Sequence, residues 1–133
     1  MRINPKAPIP IAIFLALTLT APALAQDCAN AQSTVDIMEC QEARYQAADK
    51  ALNAVYSKAM KTLSDTEKKK LKEAQRAWLK YRDASLDFII EINKDGGSYA
   101  NIVIGDYKAK IVEKRVLELK YLLSSPDDSP VEW

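Results

Sequence analysis

Three long segments with helical spacing constrain this chain more than any other feature. In the first, small or apolar residues recur every three or four positions: Met38, Tyr45, Ala48, Leu52, Val55, Tyr56, Ala59 and Leu63. That spacing places side chains on one face of an α-helix. The opposite face is predicted to hold polar residues: Glu42, Arg44, Lys50, Ser57 and Lys61. We expect a helix of roughly 30 residues, with Ser33 or Thr34 as its N-cap.

A second helix is predicted to begin after Ser64, because Ser64 and Glu67 form the S-x-x-E pattern of a capping box. Its apolar stripe is predicted to contain Leu71, Ala74, Trp78, Tyr81, Ser85, Phe88, Ile89 and Ile92. The basic run at residues 68–70 lies among acidic residues, which favours a solvated face over a binding patch. This segment is therefore a second amphipathic helix.

A third helical segment follows the concentrated breaker signal at residues 93–98, which includes Gly96 and Gly97. Its stripe is predicted to contain Ile102, Ala109, Val112, Val116, Leu119 and Leu123. The segment from Ile102 to Ile104 also suits a short strand, but Gly105 interrupts it. Three amphipathic helices with short connections predict an all-α fold, an antiparallel three-helix bundle.

The N-terminal 25 residues have the order of a secretory signal peptide. Arg2 and Lys6 precede an apolar stretch at residues 9–19, and residues 23–25 read Ala-Leu-Ala, a small-x-small cleavage pattern. A membrane anchor is the competing interpretation, but the apolar run is about half of the roughly 20 residues that span a bilayer. We expect cleavage near Ala25 and a periplasmic or secreted product without a membrane span.

The rest of the chain divides into one predicted domain at residues 26–123 and a tail at residues 124–133. The tail contains two prolines and no apolar period, so we expect it to be flexible. Trp133 ends the chain, and the sequence assigns it no role.

Cys28 and Cys40 are the two cysteines of the chain, and we expect them to form a disulfide in an oxidising compartment. A metal site is the competing interpretation. It would need more ligands than two thiols, and the chain has no histidine. The disulfide would hold the N-terminal arm on the first helix.

Charge and composition restrict the possible functions. The formal net charge is +1, and it becomes −1 once Arg2 and Lys6 are removed, which gives no indication of nucleic-acid binding. Without histidine, a Ser-His triad is excluded. Carboxylates that could form a catalytic pair alternate along the chain with basic residues, which favours surface ion pairs instead. We therefore expect no catalytic site, no cofactor and no metal.

Several polar and aromatic residues lie on or beside the stripes. They are Asp49, Asn53, Tyr56, Gln75, Trp78, Tyr81, Arg82, Asp83 and Arg115. One interpretation is a partly buried network that sets how the helices pack, and the other is a binding face. We favour the network, because an Arg or Asp inside an apolar stripe is costly unless it is paired.

Together with Cys28 and Cys40, two blocks give the chain a family resemblance. They read Asp49-x-x-Leu-Asn-x-x-Tyr56 and Gln75-Arg-Ala-Trp-x-x-Tyr-Arg-Asp-Ala84, and Gly-Gly-Ser at residues 96–98 and Arg115 follow them. Over about residues 28–123 the chain resembles the lysozyme-inhibitor LprI-like family. The resemblance implies a small exported bacterial protein that blocks lysozyme.

The chain departs from the family pattern at one pair of positions. The resemblance implies a second cysteine pair, but Leu86 and Tyr107 occupy those positions. We therefore expect the connection between the second and third helices to be less constrained than in its relatives.

That connection is the candidate inhibitory loop, with Lys94, Gly96, Gly97, Ser98, Tyr99 and Asn101. A group that protrudes into a cleft between two carboxylates would compete with sugar for their hydrogen bonds. The alternative is that Gly96 and Gly97 merely end one helix and Ser98 caps the next.

Two functions follow as hypotheses. The first is a non-catalytic protein that occludes a muramidase active site, with a lysozyme as its protein partner. The second is an envelope adaptor or immunity-like module that presents a helix face to another protein.

Overall fold

The computed structural model describes residues 28–124. A short 3₁₀ helix, Cys28–Asn30, precedes three α-helices: α1 at Thr34–Thr62, α2 at Asp65–Ile92 and α3 at Gly97–Leu123. The described part of the chain contains no strand, so the all-α prediction is confirmed and Ile102 to Ile104 belong to α3. The predicted signal peptide and residues 125–133 of the predicted tail lie outside the described residues, while Ser124 caps α3.

Both predicted helix starts are confirmed by capping boxes. At α1, the Ser33 hydroxyl accepts a hydrogen bond from the Asp36 backbone N–H at 3.1 Å, and the Asp36 carboxylate accepts one from the Ser33 N–H at 3.1 Å. Ser64 and Glu67 make the corresponding pair of bonds at α2. Each box satisfies backbone donors that have no partner inside the helix.

The helices run up, down and up, so α1 and α3 are parallel to each other and α2 is antiparallel to both. The parallel direction of α1 and α3 follows from the contacts of Gln41 with Ile102 and of Arg44 with Asp106. These two helices form the main packed pair, and α2 contacts α3 less extensively. The core cluster between α1 and α3 consists of Ala48, Leu52, Ile111, Val112, Val116 and Leu119.

Small residues allow α1 and α3 to approach closely. Ala109 is fully buried in α3, and Ala48 is buried in α1. A Cβ atom on Gly105 would lie 2.5 Å from the Gln41 Oε1 atom, so the Gln41 side chain lies directly on the Gly105 backbone. The buried Gln41 amide also donates a hydrogen bond of 3.0 Å to the Ile102 carbonyl. The glycine therefore creates the space in which a polar side chain of α1 crosses α3.

The predicted disulfide between Cys28 and Cys40 is present, with an S–S distance of 2.03 Å and a Cα–Cα distance of 5.8 Å. It joins the 3₁₀ helix to the second turn of α1. Because the 3₁₀ helix buries none of its residues, the covalent link is its main anchor. Closing a loop of this length is worth about 3 kcal/mol in the chain-entropy model.

The predicted stripe of α2 is wrong along one edge. No residue of α2 is fully buried, and Tyr81, Phe88 and Ile92 are 61%, 65% and 58% exposed. Ala74 is exposed with them, whereas the other edge, represented by Leu71 and Trp78, packs against the core cluster. The α1–α3 pair already fills its own interface, so α2 has room for contact along only one side of its broad apolar face.

One residue at the start of the first stripe also departs from the prediction. Met38 is exposed, because the main α1–α3 interface begins about one turn later, at Gln41. Within the described residues, no helix is both long enough and apolar enough to cross a membrane.

Leu119 tests the core, because it is 1% exposed and lies in the α1–α3 cluster. We expect Leu119→Ala to lower the free energy of unfolding by about 2–5 kcal/mol, since it leaves a cavity that the packed helices cannot close. Leu122→Ala is the matched control on the same helix, because Leu122 is exposed, and its effect should stay within about 0.5 kcal/mol. Urea denaturation of both variants measures the difference, and equal losses would contradict the packing described above.

Candidate functional site

The connection between α2 and α3 is a short turn with several backbone hydrogen bonds. The Asn93 side chain donates to the Ile89 carbonyl at 2.8 Å, and the Gly96 N–H donates to the Asn93 carbonyl at 2.9 Å. Gly97 has a φ of +58°, in the left-handed region that favours glycine, and it begins α3. The turn therefore has a defined conformation that depends on a glycine at position 97.

The side chains after this turn are directed to solvent. Tyr99 is 70% exposed, and Ser98 and Asn101 are also exposed. The neighbouring Ala100 is buried, which holds the first turn of α3 against the rest of the protein. Lys94 forms an ion pair of 2.6 Å with Glu91, and both side chains are largely exposed.

Ser98 does not cap α3, so that alternative prediction is wrong. The N-cap is Gly96, which makes no side-chain capping bond, and Ser98 lies inside the first turn of the helix. The helix starts ahead of Ser98 because the Gly96 carbonyl accepts the first helical hydrogen bond, from the Ala100 N–H at 3.3 Å.

Four of the predicted network residues come together between α2 and α3. Arg115 is 5% exposed and donates from Nε and Nη2 to the Gln75 Oε1 atom, at 3.2 and 3.1 Å. Its Nη1 atom donates to Glu118 at 2.8 Å. The guanidinium carbons of Arg115 and Arg82 each lie 5.6 Å from the centroid of the Trp78 ring. Trp78 is thus contacted by two cations, and the contact with Arg115 of α3 stabilises the packing of α2 on α3.

Of the other predicted network residues, Asp83 is linked to this cluster through Arg82, and the rest lie apart from it. Asn53 donates to Asp49 at 3.0 Å on the surface of α1. Arg82 donates to the adjacent Asp83 at 2.7 and 2.8 Å. Tyr81 is exposed, and Tyr56 is half-buried on α1. An open depression on α1 includes Asp49 and Asn53 in its lining, but no other helix contributes to it.

An ionic cluster lies between α1 and α3 and was not predicted from the sequence. Arg44 was predicted on the solvent face of α1, but its side chain is 13% exposed and bridges two acidic residues of α3. It donates to Glu113 at 2.7 and 3.0 Å and to Asp106 at 3.1 Å. Asp106 and Glu113 are seven residues apart, which places them on one side of α3. That spacing was the one indication of the cluster in the sequence. It predicts an ion pair only once α3 is known to pack parallel to α1.

The cluster shifts the acid–base properties of its members. Burial by itself raises the pKa of Asp106, but hydrogen bonds from Lys110 and Arg44 outweigh burial and hold the pKa below its ordinary value of 3.8. The hydrogen bond to Glu113 is the main reason why the pKa of Arg44 is raised, while burial opposes the shift. Both shifts favour the charged forms, so the cluster is an ion-pair bridge between the helices.

A second cation lies beside this bridge. Lys108 lies over the Tyr45 ring with its Nζ atom 3.9 Å from the ring centroid, and it donates to Glu42 at 3.0 Å. Hydrogen bonds from Gln46 and Lys108 lower the pKa of Glu42. Within residues 28–124, no group of three or more His, Cys, Asp or Glu side chains is placed to hold a metal ion.

These features define a small, disulfide-bonded protein of three helices. The family model described as "Lysozyme inhibitor LprI" matches residues 25–119, and the chain belongs to this family. The chain is also 34% identical over 134 aligned residues to the uncharacterized protein R02472 of Rhizobium meliloti (strain 1021), an alignment that covers 88% of this chain and 96% of that protein. No solved structure gives a significant match.

Asp106 generates a prediction about acid stability. Its pKa is depressed in the folded state, so its contribution is present above its unfolded pKa and is lost as pH falls through the folded value. We expect Asp106→Asn to be less stable than the parent by about 1 kcal/mol near pH 6, and the gap to narrow progressively as pH falls below the ordinary pKa of 3.8. Asp95→Asn is the control, because Asp95 is exposed and has no ion pair among the described residues. Urea denaturation across this pH range measures both variants, and a gap that stays constant would contradict the bridge.

Proposed function

We propose that this chain is an exported, non-catalytic binding protein that inhibits a muramidase by occluding its active site with the α2–α3 connection. Membership of the LprI family supports the class of function. The observation that carries the site assignment is Tyr99, which is 70% exposed at the end of the bundle, directly after a turn with a defined backbone.

The chemistry of the connection suits a glycoside hydrolase cleft. Such clefts contain two carboxyl groups that act on the glycosidic bond, and an inhibitor must compete with sugar for them. Ser98 and Asn101 provide exposed hydrogen-bond donors, and Tyr99 provides a ring with two rotatable bonds, which makes a large contact at low entropic cost. Tyrosine is also enriched among residues that dominate binding energy at protein interfaces.

Lys94 can provide a cation to the same cleft. Its ion pair with Glu91 joins two exposed side chains, and such pairs contribute about 0–1 kcal/mol. Exchanging this partner for a carboxylate inside a cleft therefore costs little. The Coulomb attraction inside the cleft is larger than in the surface pair because water is excluded, and the removal of both charges from water offsets part of this gain.

Order in the connection reduces the entropic cost of binding. Both cysteines of the chain form the Cys28–Cys40 bridge, so no disulfide holds this connection, and Leu86 and Tyr107 lie where the family resemblance implies a second pair. Instead, the Asn93 and Gly96 hydrogen bonds and the buried Ala100 hold the turn, and Tyr107 packs against the core cluster. These non-covalent contacts therefore supply part of the constraint that a disulfide would place on the connection.

An envelope adaptor or immunity-like module is the second candidate function. It is favoured by a different observation, the exposed apolar edge of α2 formed by Tyr81, Phe88 and Ile92. A protein of this kind would bind another envelope protein through the helix face and would leave lysozyme activity unchanged.

The loop assignment predicts loss of inhibition in single variants. Tyr99→Ala should weaken inhibition at least about tenfold, because truncating a central aromatic anchor costs more than about 1.4 kcal/mol. Lys94→Ala and Ser98→Ala should have smaller effects in the same direction. Cell-wall clearance by c-type, g-type and i-type lysozymes, titrated with each variant, measures the change.

Tyr121→Ala is the matched control, because Tyr121 is an exposed tyrosine at the opposite end of α3. It should inhibit as well as the parent. If the parent slows none of the three lysozymes, the inhibitor function is wrong and the adaptor is favoured. If the parent inhibits but all three loop variants match it while remaining folded, only the site assignment is wrong.

A further inference from the structure

The exposed edge of α2 forms a continuous apolar stripe on a helix that is otherwise charged. It consists of Ala77, Tyr81, Ala84, Phe88 and Ile92, which recur at spacings of three and four and are all exposed. From Tyr81 to Ile92 the stripe extends about 16 Å along the helix. The rest of the described chain leaves it uncovered, since α2 meets the core cluster through Leu71 and Trp78.

Charges beside the stripe have a marked order along α2. Between residues 68 and 82 the helix carries seven basic side chains and one acidic side chain, Glu73. From residue 83 to residue 92 it carries Asp83, Asp87 and Glu91 and no basic side chain. The N-terminal part of α2 is thus positive, and the C-terminal part is negative.

We propose that two copies of this protein associate through the α2 stripe, with the two α2 helices antiparallel and related by a twofold axis near Ala84. A parallel arrangement would place the two basic parts together and the two acidic parts together. The antiparallel arrangement places the basic residues nearest the axis, Lys80 and Arg82, at the level of the acidic part of the other copy. The order of charges along α2 therefore favours a second copy of this chain as the partner, with its α2 helix in the antiparallel direction.

The twofold arrangement also pairs specific residues. With the axis between Ala84 and Ser85, Tyr81 of one copy lies at the level of Phe88 of the other, and Ala77 lies at the level of Ile92. Two aromatic pairs then form at the centre of the interface, where such pairs contribute most. Small residues, Ala77 and Ala84, allow the two helices to approach.

The charged edge of the stripe is self-complementary under the same axis. Lys80, Asp87 and Glu91 are separated by seven and four residues, so they lie along one edge of the stripe. A twofold axis perpendicular to antiparallel helices brings this edge next to the same edge of the other copy. Lys80 then lies between the levels of Asp87 and Glu91 of the second copy. Lys80 and Asp87 have no ion pair within residues 28–124, so both are available.

The expected association is weak. Exposed side-chain surface of Tyr81, Phe88 and Ile92 from two copies amounts to roughly 800 Å². Stable interfaces bury about 1,200 Å² or more in total, so flanking polar groups must complete this one. We expect a dimer that forms in the micromolar range or above, not an obligate one. Its two α2–α3 connections would lie roughly 30 Å apart along the helix axes, each at the level of residues 71–76 of the other copy.

Charge reversal provides a sharp test. The protein is produced from the full chain, purified after export, and examined by sedimentation equilibrium over a range of concentrations. We expect the parent to approach twice its monomer mass as concentration rises. Lys80→Glu and Asp87→Lys should each weaken self-association at least tenfold, because each places like charges together twice. An equimolar mixture of the two variants should associate again. In the mixed dimer, position 80 of each copy faces an opposite charge at position 87 of the other copy.

Two further variants complete the experiment. Phe88→Ser should abolish association, and Lys114→Glu, the same charge change at an exposed position on α3, should leave it unaltered. Circular dichroism confirms that each variant is folded. A parent that stays monomeric at the highest concentration overturns the proposal and leaves the face to a different protein. A mixture that associates no better than its separate components overturns the antiparallel arrangement, whatever the parent does.

Discussion

The close, parallel packing of α1 against α3 is the constraint on which the rest of the structure depends. It needs a small surface on α3, which Gly105 and Ala109 supply, and a matching small residue, Ala48, on α1. Because the two helices lie close together, an apolar core and a polar bridge can form side by side between them. Arg44 reaches Asp106 and Glu113, while Leu52 packs in the core cluster. The disulfide extends the same unit by fixing the N-terminal 3₁₀ helix to α1.

The position of α2 is a consequence of that pairing. Because α1 and α3 pack mainly against each other, α2 contacts the pair through one edge. At this edge Trp78 and Gln75 contact the buried Arg115. An arginine in this position is stabilised by hydrogen bonds and by the aromatic ring, so it orients α2 without a large apolar contact. The remaining edge of α2 is then free for an external partner. A helix that contributes little to the core thus leaves an apolar stripe exposed on the surface of this fold.

Two separate surfaces result, and they suit different partners. The α2–α3 connection presents a small group of polar and aromatic side chains at one end of the bundle, the shape required to enter a cleft. The α2 stripe presents a long, flat apolar face with ordered charges, the shape required to pair with another helix. The stripe lies on the side of the bundle, and the connection lies at its end, directly after Ile92.

Much of the fold was determined by local sequence. Helix starts at Ser33 and Ser64, the break at Gly96 and Gly97 and the Cys28–Cys40 link all depend on residues that are close together in the chain, and so they could be predicted. The same holds for the stripe of α3, since a helix packed along most of its length must be apolar on that face whatever its neighbour.

What only the tertiary structure decided concerns contacts between distant segments. Periodicity shows that α2 has an apolar face, but not that α1 and α3 would leave Tyr81 and Phe88 uncovered. It placed Arg44 on the solvent side of α1, because its partners lie more than 60 residues away on a helix whose direction and depth of packing local spacing does not encode. Ser98 shows the same limit on a smaller scale, because the Gly96 carbonyl, and not Ser98, accepts the first hydrogen bond of α3. Sequence by itself therefore determined the three helices and their ends, and the packing of α1 on α3 decided which faces remained to bind anything else.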